Sequence, residues 1–166
     1  MKQESMFSVL MLLLFAVLFN GCSANTYDAQ VLSYVEPEAP AEDETSIFVF
    51  RENSALGSAR KFAIIANDTV VDVVTPGTFC NFNVKSGENE IVAYVSGPLM
   101  HYRVQDRPGE TVYLYCKVGY TTGLFIEEID HETAHTMMQS FKYMDISKTG
   151  KKLNVDYRDF YDNLYK

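Results

Sequence analysis

From residue 46 onward the chain is a series of short β-rich runs, separated by turn residues about every 8 to 12 positions. This spacing favours an antiparallel sandwich or a barrel. The Asn67-Asp68 pair is typical of a tight hairpin turn, since both residue types tolerate a positive φ. We predict strands at Ser46–Arg51, Lys61–Ala66, Val70–Val74, Thr78–Val84, Glu90–Val95, His101–Val104, Thr111–Gly119 and Leu124–Ile129.

After Asp130 the apolar period changes from that of a strand to that of a helix. Asp130 is a suitable N-cap, because its side chain can accept a hydrogen bond from the first helical turn. One apolar stripe then predicts an amphipathic helix. The residues of this stripe are Ala134, Met137, Met138 and Phe141.

The N-terminus contains an apolar run, Met6–Phe19. At about 14 residues it is too short to cross roughly 30 Å of hydrocarbon as a helix, but it suits the h-region of an export signal. Gly21-Cys22 follows, and this arrangement resembles the lipobox of bacterial lipoproteins, in which the thiol receives a diacylglyceryl group. We therefore predict a signal peptide at 1–21 and lipidation, including palmitate, at Cys22. The alternative is an ordinary secretory leader or an uncleaved anchor.

The residues after Cys22 indicate where the lipid would hold the protein. Ser23 is not the Asp that signals inner-membrane retention in enteric-type bacteria, so the periplasmic leaflet of the outer membrane is favoured. Residues 22–45 are acidic, contain prolines and hold few bulky apolar residues near the domain. Such a segment stays solvated, and we predict a tether. The folded domain is then 46–145, and 146–166 is an aromatic tail.

The formal net charge of −8 excludes several partner classes. Nucleic-acid binding needs a basic stripe that displaces counterions from phosphates, and this chain has none. Electrostatic docking on anionic lipid is disfavoured for the same reason. We predict no nucleic-acid partner and no cofactor. The expected partners are the membrane, through the N-terminal lipid, and an envelope protein or a glycan.

Cys80 and Cys116 form an even pair once Cys22 carries lipid. Both share their predicted strand face with apolar neighbours, so both thiols point into the core. Export to an oxidising compartment permits a disulfide. Closing a loop of about 35 residues would contribute roughly 3 to 4 kcal/mol. Two separately buried free thiols are the alternative.

The sequence His131-Glu132-Thr133-Ala134-His135 fits the His-Glu-x-x-His signature of zinc proteases. On a helix His131 and His135 share a face, so both could bind zinc while Glu132 activates the metal-bound water. No Glu or His follows His135 to complete the site. A third ligand would have to be His101, Asp145, Asp156, Asp159 or Asp162. We predict no resident metal and keep a small zinc hydrolase as the alternative function.

Tyrosines are a second candidate site. Tyr113 and Tyr115 lie on the strand face opposite Cys116, and Tyr94, with Tyr102 and Tyr120, could join them. Such an aromatic platform would bind a glycan or a peptide. Cross-strand packing within the sheet is the alternative, and the absence of Trp weakens the glycan interpretation.

Five segments carry a further pattern: Ser46–Arg51, Phe62–Val71, Gly77–Phe79, Val84–Gly87 and Pro108–Leu114. Together they resemble a bacterial lipoprotein family, domain of unknown function 2846. The resemblance covers roughly residues 46 to 145, and Ser86-Gly87 departs from the Pro-Gly of the family pattern. It implies a small sandwich, similar to transthyretin-like or peptidase-regulatory modules, behind a lipoprotein leader, and it supplies no catalytic residues.

Taken together, the sequence predicts a mainly β protein: an antiparallel β-sandwich, transthyretin- or immunoglobulin-like, with a C-terminal amphipathic helix. We expect a lipid-anchored cell-envelope lipoprotein. Its domain would face the periplasm and act as a non-catalytic binding or assembly module.

Overall fold

The computed structural model of the chain describes residues 31–34, 36–58, 61–94, 99–119 and 123–145. The strands are β1 (Val31–Leu32), β2 (Glu44–Arg51), β3 (Phe62–Ala66), β4 (Thr69–Val74), β5 (Thr78–Lys85), β6 (Asn89–Tyr94), β7 (Leu99–Val104), β8 (Thr111–Gly119), β9 (Gly123–Ile129) and β10 (Lys142–Met144). Helix α1 is His131–Ser140. The predicted signal peptide, Cys22 and the tail at 146–166 lie outside the described residues. Within them, no helix has the length and apolarity needed to span a membrane.

Two open sheets pack face to face, so the fold is a sandwich and not a barrel. The larger sheet has the strand order β1-β10-β5-β2-β8-β9, and the smaller has the order β4-β3-β6-β7. Most neighbouring strands are antiparallel, as predicted. The exceptions are β2 with β8 and β10 with β5, which run parallel. All the predicted strands are present, with ends shifted by one or two residues.

The interior between the sheets is built by the alternate residues of each strand. Val49 and Leu114 of the larger sheet pack with Ile64 and Ile91 of the smaller one. All four side chains are essentially inaccessible to solvent. This burial of apolar surface is the main force that holds the two sheets together.

Strand β2 is buried on both faces, which explains its uninterrupted apolar sequence. Ile47 and Val49 face the smaller sheet, while Phe48 and Phe50 point to the opposite side. Helix α1 covers that opposite side through Ala134, which is fully buried. The domain therefore has three layers: sheet, sheet and helix.

The predicted apolar stripe of α1 is confirmed. Met137, Met138 and Phe141 pack with Ala134 against the aromatic outer face of the larger sheet. The ring of Phe141 lies 6.1 Å from that of Phe50. The hairpin at Asn67-Asp68 is confirmed as well, with φ values of 46° and 66° that match a type I′ turn.

Arg51 connects the two sheets at one end of the sandwich. Its side chain is 1 % exposed, and the guanidinium lies 3.7 Å from the ring centroid of Phe62. It donates to the carbonyl oxygens of Gly57 at 2.7 Å and Val74 at 3.2 Å. Burial lowers the pKa of Arg51 to about 10. The hydrogen bond to Gly57 connects the loop that follows β2 to the core.

The predicted disulfide between Cys80 and Cys116 is wrong. Both cysteines are free and buried. Val49 of β2 pairs with Cys80 on one side and with Leu114 of β8 on the other. Strand β2 therefore lies between β5, which carries Cys80, and β8, which carries Cys116, so two inter-strand spacings of about 4.8 Å separate them. The Cα atoms lie farther apart than the roughly 7 Å that a disulfide tolerates.

The expected tether is also shorter than composition suggests. Leu32 of β1 pairs with Tyr143 of β10, which adds both short strands to the edge of the larger sheet. Tyr34 packs into the aromatic face of that sheet, at 5.2 Å from Phe79 between ring centroids. The domain therefore includes residues well before 46. Leu32 and Tyr34, both inside the predicted tether, thus contact the domain.

Candidate functional site

The outer face of the larger sheet carries a pocket of ≈ 280 Å³. One wall is the N-terminal segment 34–40, the floor is strands β2 and β8, and the opposite wall is helix α1. The lining residues are Tyr34, Glu36, Pro37, Glu38, Ala39, Pro40, Ser46, Phe48, Gly109, Thr111, Tyr113, His131, His135 and Met138. Segments that are far apart in sequence thus meet at one site.

The floor of the pocket is aromatic. Phe48 is 4 % exposed, and its ring centroid lies 5.4 Å from that of Tyr113. Phe48 and Tyr113 are neighbours because β2 and β8 pair in this register. Tyr34 approaches Phe48 edge-on, with 6.5 Å between the centroids. Aromatic contacts of this type fix the ring orientations as well as burying area.

The helical wall begins at Asp130, as predicted. The Asp130 carboxylate accepts hydrogen bonds from the backbone N–H and the hydroxyl of Thr133, both at 2.8 Å. These bonds hold the pKa of Asp130 below its usual range. The cap fixes the first turn of α1. His131 then stands edge-on to Tyr113, with 5.7 Å between ring centroids.

The N-terminal wall is acidic. It contains Pro37 and Pro40, each of which fixes its own φ and removes a backbone donor. Glu36 and Glu38 are exposed at the rim. Burial raises the pKa of Tyr34 and of Tyr113, and the negative charge of Glu36 raises both further. The Glu36 carboxylate therefore interacts electrostatically with the phenol groups of Tyr34 and Tyr113.

The two histidines of the predicted zinc motif do meet in this pocket. Their ring centroids are 5.8 Å apart, whereas Glu132 is not part of the lining. Among the described residues no third His, Cys, Asp or Glu joins them in a metal-binding group. His101, one of the predicted third ligands, lies on the smaller sheet and contacts Glu90 at 3.1 Å. Asp156, Asp159 and Asp162 lie outside the described residues.

The predicted platform of Tyr113, Tyr115 and Tyr94 is not formed. Tyr113 and Tyr115 do share the outer face of β8. Tyr94 lies on β6 in the smaller sheet and is 2 % exposed. Tyr102 also belongs to that sheet, and its hydroxyl donates to Glu128 at 2.8 Å. Of these tyrosines, Tyr113 lines the pocket.

Sequence reasoning missed the residues of the N-terminal wall, Tyr34, Glu36 and Glu38. Their acidic, proline-containing context is typical of a linker. The signal that could have revealed them is Val31-Leu32-Ser33-Tyr34, a short apolar run inside the acidic segment.

No family model, curated protein or solved structure matches this chain. The resemblance to domain of unknown function 2846 therefore stays a prediction.

Proposed function

We propose that this chain is a lipid-anchored cell-envelope lipoprotein, whose sandwich domain is a binding or assembly module that faces the periplasm. The observation that carries the binding role is the pocket on the outer face of the larger sheet. It is concave, its floor is aromatic, and its walls bring carboxylates, imidazoles and hydroxyls together from separate segments of the chain. Ligand sites are concave and use convergent polar groups of this kind. Anchoring is supported by the export-type run that ends in Gly21-Cys22.

The chemistry of the pocket supports binding more than catalysis. Ser46 lines the pocket, and a serine hydroxyl can act as a nucleophile. However, Ser46 is 2 % exposed, and its Oγ accepts a hydrogen bond from Asn81 at 2.8 Å. Covalent catalysis needs a nucleophile that is hydrogen-bonded to a base. His131 instead contacts the aromatic ring of Tyr113. The zinc-hydrolase alternative gains no third ligand from the described residues.

The position of the pocket also suits a tethered module. Its acidic wall is the segment that leads back toward Cys22, so the predicted lipid and the pocket are joined by a short length of chain. The surface charge is negative overall, which favours attachment through lipid over attraction to anionic headgroups. Ser23 favours the outer membrane, so the pocket would be presented to the periplasm.

Site-specific photo-cross-linking in intact cell envelopes tests this function. A photoreactive amino acid replaces Met138, which lines the pocket, or Gln139, which is exposed on the same helix outside it. We expect discrete adducts from position 138 and none from position 139. Adducts of the same pattern from both positions, or none from position 138, would contradict a pocket-based binding role.

A further inference from the structure

We propose that the pocket binds an organic cation, an ammonium or guanidinium group on an aliphatic chain, with Glu36 and Glu38 supplying the counter-charge. This inference rests on the proposed binding function and specifies the ligand class of the same pocket.

The charge of the lining favours a cation over an anion or a neutral group. Two carboxylates, Glu36 and Glu38, stand at the rim. Among the described residues, no Lys or Arg lines the pocket or pairs with either carboxylate. The chain as a whole carries a net charge of −8, which includes these two carboxylates. Walls of one sign of charge raise the local concentration of a ligand of the opposite sign.

The floor supplies the second element of cation recognition. Tyr113 and Tyr34 line the pocket, and their electron-rich rings lie beside Phe48. A cation placed over such a ring within about 6 Å is attracted by its quadrupole. The negative charge of Glu36 helps to raise the pKa of both tyrosines. Because Glu36 and Tyr113 line the same pocket, a ligand cation over Tyr113 would lie near a carboxylate as well.

The same strand face already holds an ammonium group in this way. Lys117 Nζ lies 5.6 Å from the ring centroid of Tyr115 and forms an ion pair with Glu127. Tyr115 is the next outward-facing tyrosine after Tyr113 on β8. The Lys117 site combines a tyrosine ring with a carboxylate. Tyr113 and Glu36 offer the same combination, but there the cation must come from a ligand.

The size of the pocket limits the ligand to a single cationic chain. Drug-sized ligands occupy pockets of roughly 300 to 1,000 Å³, and this one is ≈ 280 Å³. Two sources fit: the basic side chain of a partner protein and a free aliphatic polyamine. The carboxylates lie on a segment that Tyr34 docks onto the sheet. A ligand that bridges segment and floor therefore stabilises the docked form by mass action.

Binding is measured by NMR titration of residues 23–166, which include every described residue. The probes are N-acetyl-lysine methylamide for a basic side chain, spermidine for a free polyamine, and N-acetyl-norleucine methylamide as the uncharged analogue. The pocket variant is Glu36→Gln with Glu38→Gln. The control variant is Glu42→Gln with Glu88→Gln, which changes the net charge equally at exposed sites outside the pocket.

We expect saturable binding of the lysine probe, of spermidine or of both, with shifts at Tyr113 and His131. The pocket variant should bind about tenfold more weakly, as expected when charge-assisted hydrogen bonds are lost. The control variant should bind like the parent. Which probe binds more tightly identifies the source of the cation.

Three results overturn the proposal: equal binding of the norleucine analogue, equal weakening by the pocket and control variants, or no binding of either cation. The fold of each variant is checked by its thermal midpoint. If cation binding fails while position 138 still gives specific cross-links, the ligand class is wrong and the binding function stands. If both fail, the proposed function falls as well.

Discussion

Tyr34 tests whether the acidic N-terminal segment is part of the domain, and we predict that Tyr34→Ala lowers the free energy of unfolding by about 2 kcal/mol. The ring lies 5.2 Å from Phe79, 5.5 Å from Tyr143 and 6.5 Å from Phe48, between centroids. Truncating a fully buried aromatic residue to Ala costs about 3 to 5 kcal/mol. Because Tyr34 is only partly buried, we expect about half of that cost.

The measurement is urea unfolding of residues 23–166, followed by circular dichroism. For a domain of this size, a loss of about 2 kcal/mol also lowers the thermal midpoint by roughly 6 to 10 °C. Tyr34→Phe is the matched control, because it keeps the ring. It should remain within about 0.5 kcal/mol of the parent, the range of substitutions that remove no buried contact.

A solvated tether predicts a different result. If residues 31–40 did not pack on the sheet, Tyr34→Ala would change stability by no more than the few tenths of a kcal/mol typical of an exposed site. A change of that size would refute the docked segment. It would also remove the acidic wall from the pocket.

Three further predictions concern other parts of the domain. Cys80 and Cys116 are free and buried, and burial raises the pKa of the Cys116 thiol to about 12. Residues 23–166 should therefore show almost no reactive thiol in the folded state and two after denaturation without reductant. Fewer than two thiols after denaturation would indicate the disulfide. Zinc-loaded protein should retain no stoichiometric zinc after dialysis, by metal analysis, and stoichiometric zinc that His131→Ala abolishes would favour the hydrolase. Hydrogen bonds from Arg107 and Tyr102 hold the pKa of Glu128 below its ordinary value of 4.5. Its stabilisation is therefore present above that value and lost as the pH falls through the lowered pKa, so Glu128→Gln should flatten the acid limb of a stability–pH curve, and an unchanged limb would count against the ion pair.

The periodic parts of the fold could be predicted from the sequence. Alternation in Thr111–Gly119 placed Leu114 and Cys116 on the inner face and Tyr113 on the outer one, as the structure has them. The cap at Asp130 and the stripe through Ala134 were predicted as well. These features depend on local periodicity and on capping chemistry, which a single sequence displays.

The order of the strands could not be predicted in this way. Cys80 and Cys116 both face the interior, but β2 stands between their strands. Tyr94 has the same alternating pattern as Tyr113 yet belongs to the other sheet. Periodicity gives the face of a residue and not the identity of its neighbouring strand. The pocket depends on such neighbours, and for that reason its members were only partly foreseen.

The short elements at the domain edge were missed for a different reason. Val31–Leu32 and Lys142–Met144 are strands of two and three residues, too short for an alternating pattern to stand out. They pair with each other, and Tyr34 and Tyr143 pack together on the aromatic face. Tertiary packing therefore overrides the linker-like composition of the N-terminal segment.

Metabolic labelling with palmitate tests the anchored-module account most directly. The parent protein is compared with Cys22→Ala and with Ser23→Ala, which changes the neighbouring residue and keeps the thiol. We predict label in the parent and in Ser23→Ala, and none in Cys22→Ala. Label that persists in Cys22→Ala, or a parent that takes up none, would contradict the central claim that the domain is held at the membrane by a lipid on Cys22.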